Sequence, residues 1–178
     1  ATLMARCMHM VGLRPEDAFQ NIAGYGLFTG GLGIHYGAER LGLLTIPAGA
    51  GNSRRQVKLM KDFNVRGVHI IPSYALHLAT KFEELGVDPD ELPVEIALIG
   101  AEPHTDEARK RIEELWKLKA FNSYGLSEMN GPGVAFECEE QHGMHIWEDA
   151  YIVEILDPET LEPVAEGEVG ELVMTTLC

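Results

Sequence analysis

Segments that predict strands and segments that predict helices alternate between Leu43 and Ser123, and this alternation constrains the fold more than any other feature. Short apolar runs that predict strands occupy residues 43–47, 67–71, 94–99 and 119–123, and amphipathic segments separate them. Consecutive strands that are joined by helices lie parallel in one sheet. The sequence therefore predicts an α/β fold with a parallel sheet flanked by helices.

Polar residues at the expected helix ends support this interpretation. Ser53 with Gln56 predicts a capping box, and Ser73 and Thr105 predict the caps of the next two helices. In the first of these helices the apolar positions up to Phe63 are expected to face inward. Two earlier helices are predicted at residues 3–11 and 32–41, the second ending at a glycine.

Three loops are expected to meet at one edge of this sheet. They span residues 72–74, 100–103 and 124–133, and each follows a predicted strand or opens the next helix. Ligands of open α/β sheets bind beyond the carboxyl ends of the strands. The topology alone therefore predicts a binding site at this edge.

The third loop belongs to a glycine-rich stretch, Asn122 to Gly133, that offers several kinds of ligand contact. Tyr124 presents a flat ring for a heterocycle, Ser127 a hydroxyl for a phosphate, and Glu128 a hard oxygen for Mg²⁺. Glycine lets the backbone approach a ligand closely. The alternative interpretation is a plain glycine-rich turn with a serine that caps a helix.

Three stretches resemble one enzyme family, in that family's order and spacing. Residues 124–128, YGLSE, resemble the aromatic-Gly-x-Thr/Ser-Glu motif of the adenylate-forming enzymes, which include acyl-CoA synthetases, adenylation domains and luciferases. The longer string YGLSEMNGPGVAFEC, together with residues 25–42 and 99–109, is similar to the phenylacetate-CoA ligase branch. The resemblance covers nearly the whole chain.

The resemblance implies a two-step reaction and assigns roles to particular residues. A carboxylate attacks the α-phosphorus of ATP to give an acyl-adenylate and diphosphate, and the thiol of coenzyme A then displaces AMP. Mg²⁺ is expected at Glu128, with Ser127 as the second catalytic residue. The residues expected at the nucleotide are Gly100, Ala101, Glu102, Pro103, Tyr124 and Gly125, and those expected at the aryl acid are Tyr25, Phe28, Gly30 and Gly31.

The resemblance also implies a division of the chain. Residues 1–136 correspond to the α/β portion of the AMP-binding domain, and residues 137–178 to a β-rich portion of the same domain, truncated at its C-terminus. The family's phosphate loop, ribose-binding aspartate and C-terminal catalytic lysine have no counterpart in these residues. The chain is therefore expected to be a fragment that folds but does not catalyse.

Other functions remain open at this point. The parent protein could be a ligase for another aryl or cofactor-like acid, as in the F420-adenylating relatives, or a non-catalytic nucleotide-binding or scaffold domain. A scaffold would have no need for both Tyr124 and Glu128, and this pairing favours an enzyme. The resemblance is also compatible with a homodimer.

Charge and cysteine content exclude some partners and compartments. The chain has 14 basic and 28 acidic residues and a net charge of −14, which argues against a nucleic acid or an anionic membrane surface as partner. An odd number of cysteines, three, does not indicate a disulfide framework. No apolar run approaches the length of a membrane helix. A cytoplasmic location is therefore expected.

One further cluster suggests a metal. Cys138, His142 and His145 are spaced by four and three residues, and thiolate and imidazole are ligands that Zn²⁺ prefers. A structural zinc site usually has four ligands, so this would be a partial site completed elsewhere. The alternative is a surface thiol near two unrelated histidines.

Overall fold

A seven-stranded sheet organises most of the chain. The computed structural model describes residues 1–177. The strands of the sheet are β1 (Ala18–Asn21), β2 (Leu44–Ile46), β3 (Val65–Ile70), β4 (Ile96–Gly100), β5 (Lys119–Leu126), β6 (Gly131–Phe136) and β7 (His145–Ile146). They run in the order β2-β1-β3-β4-β5-β6-β7; the pairs from β2 to β5 are parallel, and β6 pairs antiparallel with β5.

Helices cover both faces of this sheet. Alternate residues of a strand point to opposite faces. The helices are α1 (Thr2–Met10), α2 (Thr29–Leu41), α3 (Ser53–Asp62), α4 (Pro72–Ala79), α5 (Phe82–Leu85) and α6 (Asp106–Trp116), with short 3₁₀ turns at Pro89–Glu91 and Ser127–Met129. Ala97 and Ile99 of β4 belong to one buried cluster with α3 to α6, whereas Leu98 points to the other side, where α1 and α2 contact each other and β6.

Trp116 anchors α6 to its neighbours. Its side chain is fully buried, its indole Nε1 donates a hydrogen bond of 3.0 Å to the carbonyl of Ala75, and its ring meets Phe82 edge-on at 4.9 Å between ring centroids. Because the indole N–H has a partner, the large apolar ring can be buried without leaving a polar group unpaired. This contact holds α4, which begins at the edge of the sheet, in a defined position.

The structure confirms the α/β class and several helix boundaries. Gly42 ends α2 in the left-handed conformation with φ of 91°, and the side chain of Thr105 caps α6 by accepting a hydrogen bond of 3.2 Å from Ala108 N. The predicted capping box was wrong, because Asn52 caps α3 through Arg55 N. Phe63 is 47% exposed and does not face inward.

Two parts of the sheet differ from the sequence prediction. β1 was not predicted, although it lies between β2 and β3. The stretch from Asn122 to Gly133 is not a loop: β5 continues to Leu126, a single 3₁₀ turn follows, and β6 begins at Gly131. The motif residues therefore lie on an antiparallel hairpin at the end of the parallel part of the sheet.

The chain divides into two units after His145. The first comprises Ala1–His145, and the second comprises Ile146–Cys178, of which residues 146–177 are described. In the second unit β8 (Tyr151–Leu156) and β9 (Glu171–Thr176) form an antiparallel pair. Within residues 1–177, no helix combines the length and the apolar character that crossing a bilayer would require.

Candidate active site

A cavity of about 570 Å³ opens at the carboxyl edge of the parallel strands. All five parallel strands contribute to its lining: Ile22 follows β1, Gly51 lies in the loop after β2, Ile71 and Ala101 follow β3 and β4, and Tyr124 lies near the end of β5. Its volume is within the range of about 300–1,000 Å³ that is typical of small-molecule sites. The cavity thus lies where the strand topology predicts a ligand.

Two hydroxyl groups lie together at the exposed mouth of this cavity. Thr29 is the first residue of α2 and Ser127 begins the 3₁₀ turn after β5, and their oxygens are 3.1 Å apart. Both side chains line the cavity and are exposed. No side chain within the described range caps the N-terminus of α2. Hydroxyls beside an uncapped helix N-terminus form an environment that favours an anion.

Tyr124 and Gly125 lie on the β5 side of the cavity. The ring of Tyr124 is 41% exposed, which leaves a face available to a planar ligand. A Cβ on Gly125 would lie 2.6 Å from the carbonyl oxygen of Gly131 and 2.6 Å from the Cα of Pro132, so no larger residue fits there. Glycine at this position is needed for closure of the hairpin as well as for lining the cavity.

Only part of the predicted purine loop faces the cavity. Of the four described residues 100–103, Ala101 lines it, and Gly100, Glu102 and Pro103 do not. Ala101 adopts a left-handed conformation with φ of 66°. The carboxylate of Glu102 accepts hydrogen bonds from both the backbone N–H and the hydroxyl of Ser73 at the start of α4. Glu102 therefore links the β4 loop to α4, and Ser73 serves as a donor to Glu102 rather than as a side-chain cap.

Phe28, Gly30 and Gly31 line the cavity as the sequence led us to expect, but Tyr25 does not. Phe28 is 82% exposed at the start of α2. A Cβ on Gly31 would lie 2.3 Å from the carbonyl oxygen of Gly24, whereas nothing lies within 4 Å of one on Gly30. Gly31 therefore closes the wall of the cavity, and Gly30 leaves free space beside it.

Tyr25 lies behind this wall in a hydrogen-bond network. Its hydroxyl accepts a bond of 2.9 Å from Asn21 Nδ2 and lies 3.1 Å from His35 Nδ1, and His35 Nε2 lies 3.2 Å from Glu39 Oε1. Asn21 Nδ2 also donates to the carbonyl of Gly31 at 2.8 Å. Burial raises the pKa of the Tyr25 phenol, so it stays protonated at neutral pH. Tyr25 therefore supports the cavity wall from behind.

Glu128 is exposed on the 3₁₀ turn beside Ser127 and does not line the cavity. Within residues 1–177 its carboxylate forms no hydrogen bond or ion pair, and both oxygens are available to a cation. Magnesium is usually held by one or two carboxylates together with phosphate oxygens of a substrate. A single exposed carboxylate next to the Ser127 hydroxyl fits this requirement.

His69 is the main cavity residue that sequence reasoning missed. It lies near the end of β3, is only 3% exposed and lines the cavity. Its Nδ1 is buried, and no residue in the described range bonds to it. Burial lowers the pKa of the imidazole to about 4, so the ring is neutral at pH 7. The sequence signal was a histidine within the apolar run of residues 67–71, close to its carboxyl end.

The chain matches the model of one protein family over almost its whole length. The family model described as AMP-binding enzyme matches residues 2–177. The chain belongs to the AMP-binding enzyme family. Membership confirms the resemblance that was drawn from the motifs around Tyr124, Tyr25 and Gly100.

Curated members of the AMP-binding enzyme family align with nearly the whole chain. Phenylacetate-coenzyme A ligases of Thermus thermophilus, Pseudomonas putida and Escherichia coli K12 are 50%, 48% and 45% identical to it. Each alignment covers 99% of this chain and 40 or 41% of the relative. The chain therefore spans about two fifths of the length of the curated relatives that it matches.

Solved structures of two CoA ligases share this fold. A 2-hydroxyisobutyryl-CoA ligase in complex with 2-HIB-AMP and CoA superimposes with a TM-score of 0.91 at 30% identity, over 97% of this chain and 39% of the other. A benzoate CoA ligase from Burkholderia xenovorans LB400 has a TM-score of 0.75 at 16% identity, over 97% of this chain and 36% of the other, which shows the fold alone.

The described residues do not support the zinc hypothesis. No group of three potential ligands is close enough to hold a metal within residues 1–177, so Cys138, His142 and His145 do not form a site. The reason is local. Gln141 anchors the turn to β5 by donating to the carbonyl of Ala120 at 2.9 Å, and both histidines point into solvent, while the thiol is half-buried.

Proposed function

We propose that the protein to which this chain belongs is an ATP-dependent acid–thiol ligase. It would convert phenylacetate, ATP and coenzyme A to phenylacetyl-CoA, AMP and diphosphate through an acyl-adenylate. The observation that carries this proposal is the single cavity that Tyr124, Ala101 and Ser127 share with Phe28 and Gly30. A ligase that joins an acid to AMP needs both binding regions side by side.

The walls of the cavity suit the two halves of the intermediate. The exposed face of Tyr124 would stack on the adenine, with the backbone at Ala101 beside it. Phe28 and the open space at Gly30 would receive the aryl ring. Holding the carboxylate next to the α-phosphorus converts a bimolecular attack into an effectively unimolecular one, and positioning of this kind is worth about 7–11 kcal/mol.

The polar groups at the mouth suit the phosphates. The hydroxyls of Thr29 and Ser127 would donate to phosphate oxygens as diphosphate leaves. Glu128 would hold Mg²⁺, which supplies neutralisation of the charge on the phosphates. In the second step the thiol of coenzyme A attacks the acyl carbonyl and AMP leaves, with Tyr124 still holding the nucleotide. The location would be the cytoplasm, where these substrates occur.

The test measures diphosphate release by the full-length protein with ATP, Mg²⁺ and phenylacetate. Release should depend on the acid, and addition of coenzyme A should yield phenylacetyl-CoA. Glu128→Gln keeps the shape of the side chain and removes its charge, so the rate of release should fall about 100-fold or more.

Glu140→Gln is the matched control, because Glu140 is an exposed carboxylate in the turn after β6, outside the cavity. It should retain the wild-type rate. Near wild-type release by Glu128→Gln would remove Glu128 from the machinery. No acid-dependent release by the wild-type protein would refute the ligase assignment itself.

A further inference from the structure

His69 is buried and lines the cavity, and we call this buried end of the cavity its floor. β3 is flanked by β1 and β4, and the register places His69 opposite Asn21 on one side and Leu98 on the other. Its carbonyl accepts a hydrogen bond of 3.0 Å from Ile22 N. The backbone of His69 is thereby fixed in the ladder beside the cavity.

One nitrogen of the imidazole, Nδ1, lacks a hydrogen-bond partner within residues 1–177. This nitrogen is buried. Ile22, Ile34 and Ile71 line the same cavity. Buried polar atoms are nearly always hydrogen-bonded, and an unsatisfied one in a native structure calls for an explanation. A ligand that fills the cavity would supply the missing partner.

The position of His69 decides which part of the ligand would reach it. The Thr29 and Ser127 hydroxyls are exposed at the mouth, and in the proposed reaction the carboxylate of the acid must lie there, beside the phosphates. The opposite end of the acid then points away from the mouth, toward the floor. His69 would therefore face the substituents of the aryl ring.

The protonation state of His69 limits which groups of a ligand can form a hydrogen bond with it. Because burial lowers the imidazole pKa to about 4, the ring is neutral at pH 7 and has one donor and one acceptor nitrogen. A hydroxyl group can both donate and accept, so it can pair with either nitrogen. An unsubstituted aryl ring offers neither and leaves the buried nitrogen unpaired.

We propose that His69 selects an aryl acid that carries a hydroxyl group on its ring. This proposal rests on the proposed ligase function and adds the class of acid that the cavity prefers. A site built to bond a substrate hydroxyl discriminates strongly against the analogue that lacks it, because its own polar group is then left unsatisfied.

The experiment compares four acids in the full-length protein. It measures kcat/KM for diphosphate release with phenylacetate and with 2-, 3- and 4-hydroxyphenylacetate. We expect the wild-type protein to prefer at least one hydroxylated isomer to phenylacetate by about 5- to 150-fold, the span that corresponds to one buried unsatisfied group. This measurement needs no variant and is unaffected if a substitution disturbs folding.

The variant His69→Leu then assigns the preference to this side chain. Leucine is apolar, so the ratio of kcat/KM for the preferred hydroxylated acid to that for phenylacetate should fall at least about fivefold. His9→Leu is the matched control, because His9 is exposed on α1 and does not line the cavity. It should keep the wild-type ratio.

The outcomes separate the two proposals. Activity with phenylacetate but no preference for any hydroxylated isomer would overturn the role of His69 and leave the ligase function standing. A preference that persists in His69→Leu with less than a fivefold change would also overturn it. Absence of release with all four acids would refute the proposed function as well.

Discussion

Burial of His69 should make the stability of the fold depend on pH. The imidazole pKa is about 4 in the folded chain and 6.5 for the unperturbed group. Between these values the unfolded chain binds a proton that the folded chain does not. The contribution of His69 to stability is therefore fully present above pH 6.5 and is lost as the pH falls toward 4.

The size of the effect follows from the shift. A shift of one pKa unit corresponds to about 1.4 kcal/mol, so the loss approaches roughly 3.4 kcal/mol below pH 4. At pH 5.0 the linkage relation gives a loss of about 2 kcal/mol relative to pH 7.5. Other groups also titrate in this range, so the prediction concerns the difference between wild type and a variant without this histidine.

The assay is urea denaturation of the wild-type chain and His69→Leu at pH 7.5 and 5.0, followed by circular dichroism. The wild-type free energy of unfolding should fall by about 2 kcal/mol more than that of the variant. His9→Leu controls for the loss of one imidazole from the unfolded chain. Equal falls in wild type and His69→Leu, within about 0.5 kcal/mol, would refute the argument that burial holds His69 neutral.

Three further predictions concern the cavity walls. Tyr124→Ala in the full-length protein should weaken ATP binding by about 1–3 kcal/mol, the usual value of base–aromatic stacking, and should weaken aryl-acid binding less. Calorimetric titration measures both affinities. A larger loss for the acid would place Tyr124 in the acid-binding half of the site. Gly31→Ala should lower the free energy of unfolding by about 1–3 kcal/mol, because its Cβ would lie 2.3 Å from Gly24 O; an unchanged urea midpoint would contradict this contact. Gly30→Ala, with nothing within 4 Å of its Cβ, should change stability by about 1 kcal/mol or less, and a loss as large as that of Gly31→Ala would show that the space is not free.

The parallel part of the sheet could be predicted because the sequence patterns that indicate its strands and helices are local. Apolar runs and helix caps such as Thr105 place the strands and helices without reference to distant residues. β1 was not predicted because it contains Gln20 and Asn21, which are typical of loops. The structure buries both, since Gln20 Nε2 donates to Gln56 Oε1 at 2.6 Å and Asn21 Nδ2 donates to Gly31 O. Such partners are distant in sequence and cannot be inferred from a local pattern.

The β5–β6 hairpin was predicted as a loop for a different reason. Glycines at 125, 131 and 133 indicate flexibility when they are considered one by one, yet Gly125 packs directly against the backbone of Gly131. The pair Asn130-Gly131, both with positive φ of 67° and 101°, is typical of a hairpin turn and was the available signal.

The candidate site was predictable only where it follows strand ends. The rule that ligands bind beyond the carboxyl ends of strands led to Ala101, Tyr124 and Ser127, all of which line the cavity. Tyr25 was assigned to the acid from resemblance, but its hydroxyl bonds to Asn21 behind the wall. His69 could not be assigned, because its importance lies in burial without a partner, which only the structure reveals.

We propose that one cavity of the full-length protein holds both halves of an acyl-adenylate. A crystal structure of the full-length protein with a phenylacetyl sulfamoyl-adenosine, a stable mimic of that intermediate, tests it most directly. We predict the adenine against the ring of Tyr124, the sulfamoyl group near the hydroxyls of Thr29 and Ser127, and the aryl ring toward His69. A mimic bound outside this cavity, or bound with its adenine at His69, would contradict the account.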